Sequence, residues 1–204
     1  VSRSALNQPD KPLAPLTFIG SNSAAGTYIL RIRVGAPLQI SFGRFKDGRA
    51  ICLEAGEYAY IGSALAGMGA TCLGQRLIRH ATRLGDRPPH TIRILMLEEF
   101  NRIRLCHHEL RPPSAKKPRW HVDYLLNDLS VDLTGVIAVR HPTRIEPQLG
   151  KLLVADPRTV VFERGLGAMD VPGNTHLVRV MADESWWRKL GPRLKHLTRP
   201  SANG

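Results

Sequence analysis

Five side chains in this sequence are of types that can act together on a phosphodiester: Tyr28, Tyr60, Arg76, His80 and Glu146. Tyr28 ends a Gly26-Thr27-Tyr28 triplet, and Tyr60 opens Tyr60-Ile61-Gly62-Ser63-Ala64. Arg76 and His80 stand four residues apart, so on a helix they share one face and reach one another. Glu146 opens a later stretch with helical patterning. An arginine neutralises charge on a pentacovalent phosphate, a phenol or imidazole handles the proton of an attacking water, and a carboxylate holds Mg²⁺ or Mn²⁺. Each residue also has an ordinary reading, since tyrosine is common in strands for packing alone.

These residues need elements to hold them. Residues 27–34 end in an alternation of apolar and basic side chains, the period of a half-exposed strand, and residues 38–42 repeat it. Lys46-Asp47-Gly48-Arg49 carries the Asp-Gly signal of a hairpin turn, and residues 50–53 and 57–62 extend the pattern. Together they predict a small antiparallel sheet of sequence-adjacent strands. A helix follows Gly67-Met68-Gly69, with Leu73, Leu77, Ala81 and Leu84 on one stripe and Arg76, Arg79 and Arg83 outside it. Residues 91–110 predict a second helix, 111–119 a basic proline-rich loop, and 120–127 a short ordered segment. Further on, 131–139 reads as a strand, 144–155 as a helix, 159–162 and 176–180 as short strands, and 184–196 as an amphipathic helix. The class is α+β, a small antiparallel sheet flanked by helices, with no internal repeat.

Charge narrows the partner. The 204 residues hold 29 Lys and Arg against 17 Asp and Glu, a net +12. Residues 76–119 contribute 11 cations against four acids, and residues 186–204 five against none, so the remainder is neutral. Two local basic segments, rich in arginine, point to a polyanion such as nucleic acid. The candidate phosphate contacts are Arg79, Arg83, Arg87, Lys116, Lys117 and Arg119. No apolar run is long enough for a membrane span. The first twenty residues lack a signal-type apolar core. Three cysteines without a CxxC predict unpaired thiols in a reduced, cytoplasmic protein.

The order Gly-x-Tyr, Tyr-Ile-Gly-Ser-Ala, Arg-x-x-x-His and a helical Glu resembles the GIY-YIG nuclease superfamily. That resemblance implies a three-stranded antiparallel core and cleavage of phosphodiesters, usually in DNA, with one divalent metal. Tyr28 and Tyr60 match its two tyrosines, Arg76 its phosphate-binding arginine, His80 its histidine and Glu146 its metal carboxylate. The second-motif tyrosine, Tyr60, is the one the resemblance favours for activating water. A closer similarity is to an uncharacterised GIY-YIG-like branch found alone or fused to archaeal endonuclease III. It rests on Trp120-His121-Val122-Asp123-Tyr124, Arg144-Ile145-Glu146, and Gly165-Leu166-Gly167-Ala168-Met169-Asp170 followed by Thr175-His176-Leu177. Where that branch carries cysteines, this chain has Pro147, Val171 and Gly173. The expected function is a metal-dependent endonuclease acting on DNA, in repair or processing of DNA structures. The alternatives are a non-catalytic nucleic-acid-binding module and an accessory domain docked on a repair protein.

The resemblance spans about residues 24–181, leaving 1–23 as a flexible arm, 84–117 as a basic insertion and 182–204 as a basic C-terminal helix and tail. Ser63, His121, Asp123, Asp170 and His176 are accessory candidates. On a strand, His121 and Asp123 would face the same way, with the carboxylate orienting the imidazole. Asp170 and His176 flank a Pro-Gly turn and read as loop-pinning residues. His107 and His108, adjacent on the expected second helix, diverge too far to share a metal. Trp186 and Trp187 read as anchors of the last helix to the core rather than as base-stacking residues.

Overall fold

In the computed structural model, which describes residues 13–66, 71–166 and 176–198, eight strands and five α-helices form an α+β fold. The strands are β1 (Leu16–Gly20), β2 (Gly26–Val34), β3 (Leu38–Ile40), β4 (Ile51–Leu53), β5 (Gly56–Ala64), β6 (Val131–Arg140), β7 (Thr159–Val161) and β8 (Leu177–Val180). The helices are α1 (Leu73–His80), α2 (Ile92–Arg102), α3 (His121–Leu125), α4 (Glu146–Val154) and α5 (Glu184–Leu194). Six strands make the main sheet in the order β1-β6-β2-β5-β8-β7. Every pairing in it is antiparallel except β1 with β6.

The period of two along each strand sorts side chains between two layers of helix. Tyr28, Leu30 and Ile32 of β2 and Tyr58 and Tyr60 of β5 face α1, α2 and α3, where they meet Leu77, Met96, Phe100 and Val122. Ile29, Ala59 and Ile61 face the other way, onto Leu149 and Leu153 of α4 and Trp186, Trp187 and Leu190 of α5. Both tryptophans are buried anchors, as the sequence pattern indicates. Asp156, just after α4, fixes this layer by accepting from Arg158, Arg193 and Trp186 Nε1.

Several expectations are corrected. Residues 16–20 are not part of a loose arm, because β1 adds to the sheet edge alongside β6. β2 is central and covered on both faces rather than half-exposed. Its Arg31 is accommodated by Glu57, Glu184 and the Trp187 ring. β3 and β4 pair only with each other, as a separate ribbon. The ribbon's ten-residue link turns through left-handed Lys46 and Asp47, not through a two-residue Asp-Gly turn. The second helix ends at Arg102, so His107 and His108 lie outside it, exposed. Within the 120–127 segment His121–Leu125 is helical, which turns His121 and Asp123 away from each other. Cys72 and Cys106, expected to be unpaired, form a disulfide that ties the start of α1 to the chain after α2. Their partnership spans 34 residues and depends on α2 folding back, which no local spacing announces. Cys52 is free and exposed. Among the described residues, no helix is long and apolar enough to cross a membrane.

Candidate active site

The cleft is built around two close approaches that explain two glycines. A Cβ on Gly26 would lie 2.4 Å from the Val139 carbonyl oxygen, so only glycine lets β2 and β6 meet there. A Cβ on Gly62 would lie 2.4 Å from Tyr28 Oη, since the Tyr28 phenol crosses directly over that position. Gly62 has no left-handed φ, so the requirement is for space rather than conformation. Register sets the approach: Tyr28 is paired with Gly62 across β2 and β5.

α1 supplies the next two groups. Leu73, Leu77 and Ile78 are buried, and Cys72 Sγ caps the helix by accepting from Gln75 N. That orientation points Arg76 at the end of β5, where its Nη1 donates to the Ser63 carbonyl at 2.6 Å. The guanidinium lies over the Trp120 ring, 4.4 Å from its centroid, and Nε has no hydrogen-bond partner. One turn later His80 is fully buried behind the tyrosines, with Nε2 2.8 Å from Tyr28 Oη. The Tyr60 ring stands edge-on to His80 at 6.3 Å.

Glu146 arrives from the other layer. α4 packs on the opposite face of the sheet, but its first residue sits at the sheet's end and its carboxylate enters the same cleft. Ser63 Oγ donates to Glu146 Oε2, and His176 Nε2 lies 3.2 Å from Oε1. The resulting cavity, of about 570 Å³, is lined by Tyr28, Tyr60, Ser63, Arg76, Glu146 and His176, with Arg119, His121, Arg44 and Arg144 among its other walls.

Electrostatics keep the phenols protonated. Burial, then proximity to Tyr60, pushes the Tyr28 hydroxyl well above its ordinary value, and Arg76 only partly opposes this. Burial and Glu146 likewise raise Tyr60. Burial lowers His80, with Asp123 opposing, so the imidazole is neutral at physiological pH.

The accessory candidates divide. Ser63, His121 and His176 reach the cleft, and His121 also packs on Phe45. Asp123 lies behind His80, not beside His121. Burial alone would raise its carboxyl, but His80, Lys116 and the Arg119 amide hold it far below the usual range. Asp170 lies outside the described residues.

The expected phosphate contacts divide as well. Arg119 lines the cleft, Lys117 and Arg87 are exposed, and Arg79 bonds the Lys117 carbonyl and lies over Trp120. Arg83 and Lys116 are corrected to internal ties. Arg83 is buried, donating to the Pro88 and Val131 carbonyls, and Lys116 pairs with Asp123 and the Thr82 carbonyl. Arg44 and Arg144 are cleft residues to which the sequence pattern assigns no role. Arg144 stands two residues before Glu146, the one signal that places it here.

Among the described residues, no three His, Cys, Asp or Glu gather closely enough to hold a metal ion by themselves. A single carboxylate with a neighbouring hydroxyl, in an open cleft, fits an ion such as Mg²⁺ that keeps several waters and shares substrate phosphate oxygens.

A family profile described as "Domain of unknown function DUF123" matches residues 27–198, a span that includes every residue lining the cavity. No curated protein and no solved structure matches the chain.

Proposed function

The chain belongs to the DUF123 family, and we propose that its cleft hydrolyses phosphodiester bonds in nucleic acid, DNA in preference to RNA, as a metal-dependent endonuclease. The observation that carries this reading is convergence. Tyr28, Tyr60, Arg76 and Glu146 come from β2, β5, α1 and α4, yet they line one cavity. Packing alone gives no reason for a carboxylate from one helical layer to share a cleft with an arginine from the other. The arrangement is also what the similarity to GIY-YIG nucleases leads one to expect.

In this reading Arg76 binds the scissile phosphate. Its anchorage on the Ser63 carbonyl and the Trp120 face fixes the guanidinium before substrate arrives. Removing one preorganised donor of this kind costs about 10²–10³ in rate. Tyr28, in place of the Tyr60 that the resemblance favours, takes the proton of the attacking water at Oη while passing its own to His80 Nε2, because the Tyr28 hydroxyl is the one 2.8 Å from an imidazole nitrogen, whereas Tyr60 only stands edge-on to that ring. Glu146, oriented by Ser63 and His176, would hold the divalent ion. Such an ion, when bound, neutralises charge on the phosphate and lowers the pKa of a water. Arg44, Arg119 and Arg144 draw the backbone in by charge.

A pure binding module would need the basic rim but not the buried Tyr28–His80 pair. The test is a panel of duplex, single-stranded, branched and damaged DNAs, with an RNA, incubated with Mg²⁺ or Mn²⁺. Metal-dependent cleavage of at least one is expected, and inertness on all of them would refute the reading.

A further inference from the structure

The Tyr28–His80 pair has a third member outside the cleft. Asp123 is fully buried behind His80, and its two oxygens are divided between tasks. Oδ2 accepts from the Arg119 amide at 2.9 Å and the Trp120 amide at 3.2 Å, and so caps α3. Oδ1 faces inward, 3.2 Å from Lys116 Nζ and 3.6 Å from His80 Nδ1. Neither Asp123 Oδ1 nor His80 Nδ1 makes a hydrogen bond. Lys116 offsets the charge on Oδ1, but His80 Nδ1 has no other group to face, and a bare ring nitrogen lone pair set against a carboxylate oxygen is repulsive, so the approach is favourable only if Nδ1 carries a hydrogen. That tautomer leaves Nε2 bare, and Nε2 is the atom 2.8 Å from the Tyr28 hydroxyl.

We propose that Asp123 is a positioning residue of the cleft, holding His80 with its proton on Nδ1 so that Nε2 receives the proton of the Tyr28 hydroxyl. The proposal rests on the phosphodiesterase reading and deepens it. During hydrolysis the water oxygen forms the new bond to phosphorus and the bond to the leaving oxygen breaks. The water's proton passes to Tyr28 Oη as the phenol proton passes to His80 Nε2, and the leaving oxygen takes a proton from solvent. The imidazolium then returns its proton to solvent by the same path.

The surroundings show why a carboxylate is needed. His80 is faced by Tyr28 from β2, Tyr60 from β5, Trp120 and Asp123 from α3 and its approach, Lys116 from the preceding loop, and Arg76 on its own helix. The cations among these oppose an imidazolium, and Asp123 is the group that offsets them. A capping role uses one oxygen and does not require the second to face an imidazole.

The test is ¹⁵N NMR of the histidine side chains in the full chain at neutral pH, with the His80 signals assigned from a His80→Gln variant. The wild type and Tyr28→Phe should both show neutral His80 with the proton on Nδ1. Asp123→Asn keeps an oxygen for the α3 cap but turns an amide nitrogen toward Nδ1, so the proton should move to Nε2. Cleavage by that variant should fall by about 10²–10⁴-fold, at unchanged nucleic-acid affinity. A wild-type His80 protonated on Nε2, or on both nitrogens, overturns the proposal whatever the cleavage result. This arm does not depend on the variant folding. A switched tautomer with wild-type cleavage overturns it too, while leaving the nuclease reading intact. Absence of cleavage by the wild type overturns the nuclease reading instead, and the spectra still decide whether Asp123 sets the tautomer.

Discussion

Gly62→Ala should damage the cleft through space alone. The new Cβ would lie 2.4 Å from Tyr28 Oη, 2.5 Å from Cζ and 2.8 Å from Cε2. Ordinary carbon contacts begin near ~3.5 Å, so the buried ring must retreat by about 1 Å or β2 and β5 must part. Overpacking of this kind costs about 1–3 kcal/mol, and loss of the Tyr28–His80 hydrogen bond adds about 1 kcal/mol. Urea unfolding should therefore show Gly62→Ala to be about 2–4 kcal/mol less stable than wild type. Tyr28→Ala alone should cost about 3–5 kcal/mol through the cavity it leaves. In the Tyr28→Ala background the clash is gone, and the alanine should be neutral or slightly stabilising, since it also restricts the unfolded chain. The two effects would then fail to add by about 2 kcal/mol or more. A Gly62→Ala cost below about 0.5 kcal/mol, or strict additivity with Tyr28→Ala, would refute the claim that the glycine exists to admit the phenol.

Other outcomes follow from the same geometry. His90 accepts from Leu133 N at Nδ1 and reaches the Leu126 carbonyl through Nε2, and burial, with Arg83 nearby, lowers it to about 4. Because the folded value lies below the unfolded one, its contribution is complete above about pH 6.5 and is lost as pH falls toward 4. The total is about 3 kcal/mol, and a His90→Gln variant should flatten this slope in pH-dependent unfolding. Reducing the Cys72–Cys106 disulfide reopens a 34-residue separation, for which chain entropy gives about 4 kcal/mol. A lower thermal midpoint with dithiothreitol, absent in a Cys72→Ala/Cys106→Ala variant, checks this. Arg44→Ala, Arg119→Ala and Arg144→Ala should each reduce the salt dependence of DNA binding, the slope falling by about 0.9 for every phosphate no longer neutralised. Arg83→Ala should leave that slope alone and cost about 2–3 kcal/mol of stability, because it strips partners from two carbonyls.

The strands and helices that carry the site were legible because their patterns are local. The Arg76–His80 spacing, the helix opening at Glu146 and the closing amphipathic helix all stand where periodicity puts them. What escaped was set by contacts distant in sequence. β1 joins the sheet only because β6, more than a hundred residues later, offers an edge. Arg83 and Lys116 count as surface charge in any local tally, yet carbonyls and a carboxylate from other segments draw them inside. The alternation that suggested a strand at His121 and Asp123 is too short to choose a period, and the Asp123 cap decided for helix. The residues that line the cleft were legible as a set of types. The cleft's wiring, with Asp123 on His80 and Ser63 and His176 on Glu146, required the fold.

The most direct test of the cleft's assignment is a comparison of Glu146→Gln with wild type on whichever DNA the wild type cleaves. Cleavage with Mg²⁺ or Mn²⁺ is measured beside binding, the latter by fluorescence anisotropy without metal. The substitution keeps the shape and the Ser63 contact but removes the charge that would hold the cation. The account predicts that cleavage is abolished while affinity is unchanged or slightly tighter, a negative charge near phosphate being gone. Cleavage by Glu146→Gln at the wild-type rate would contradict it.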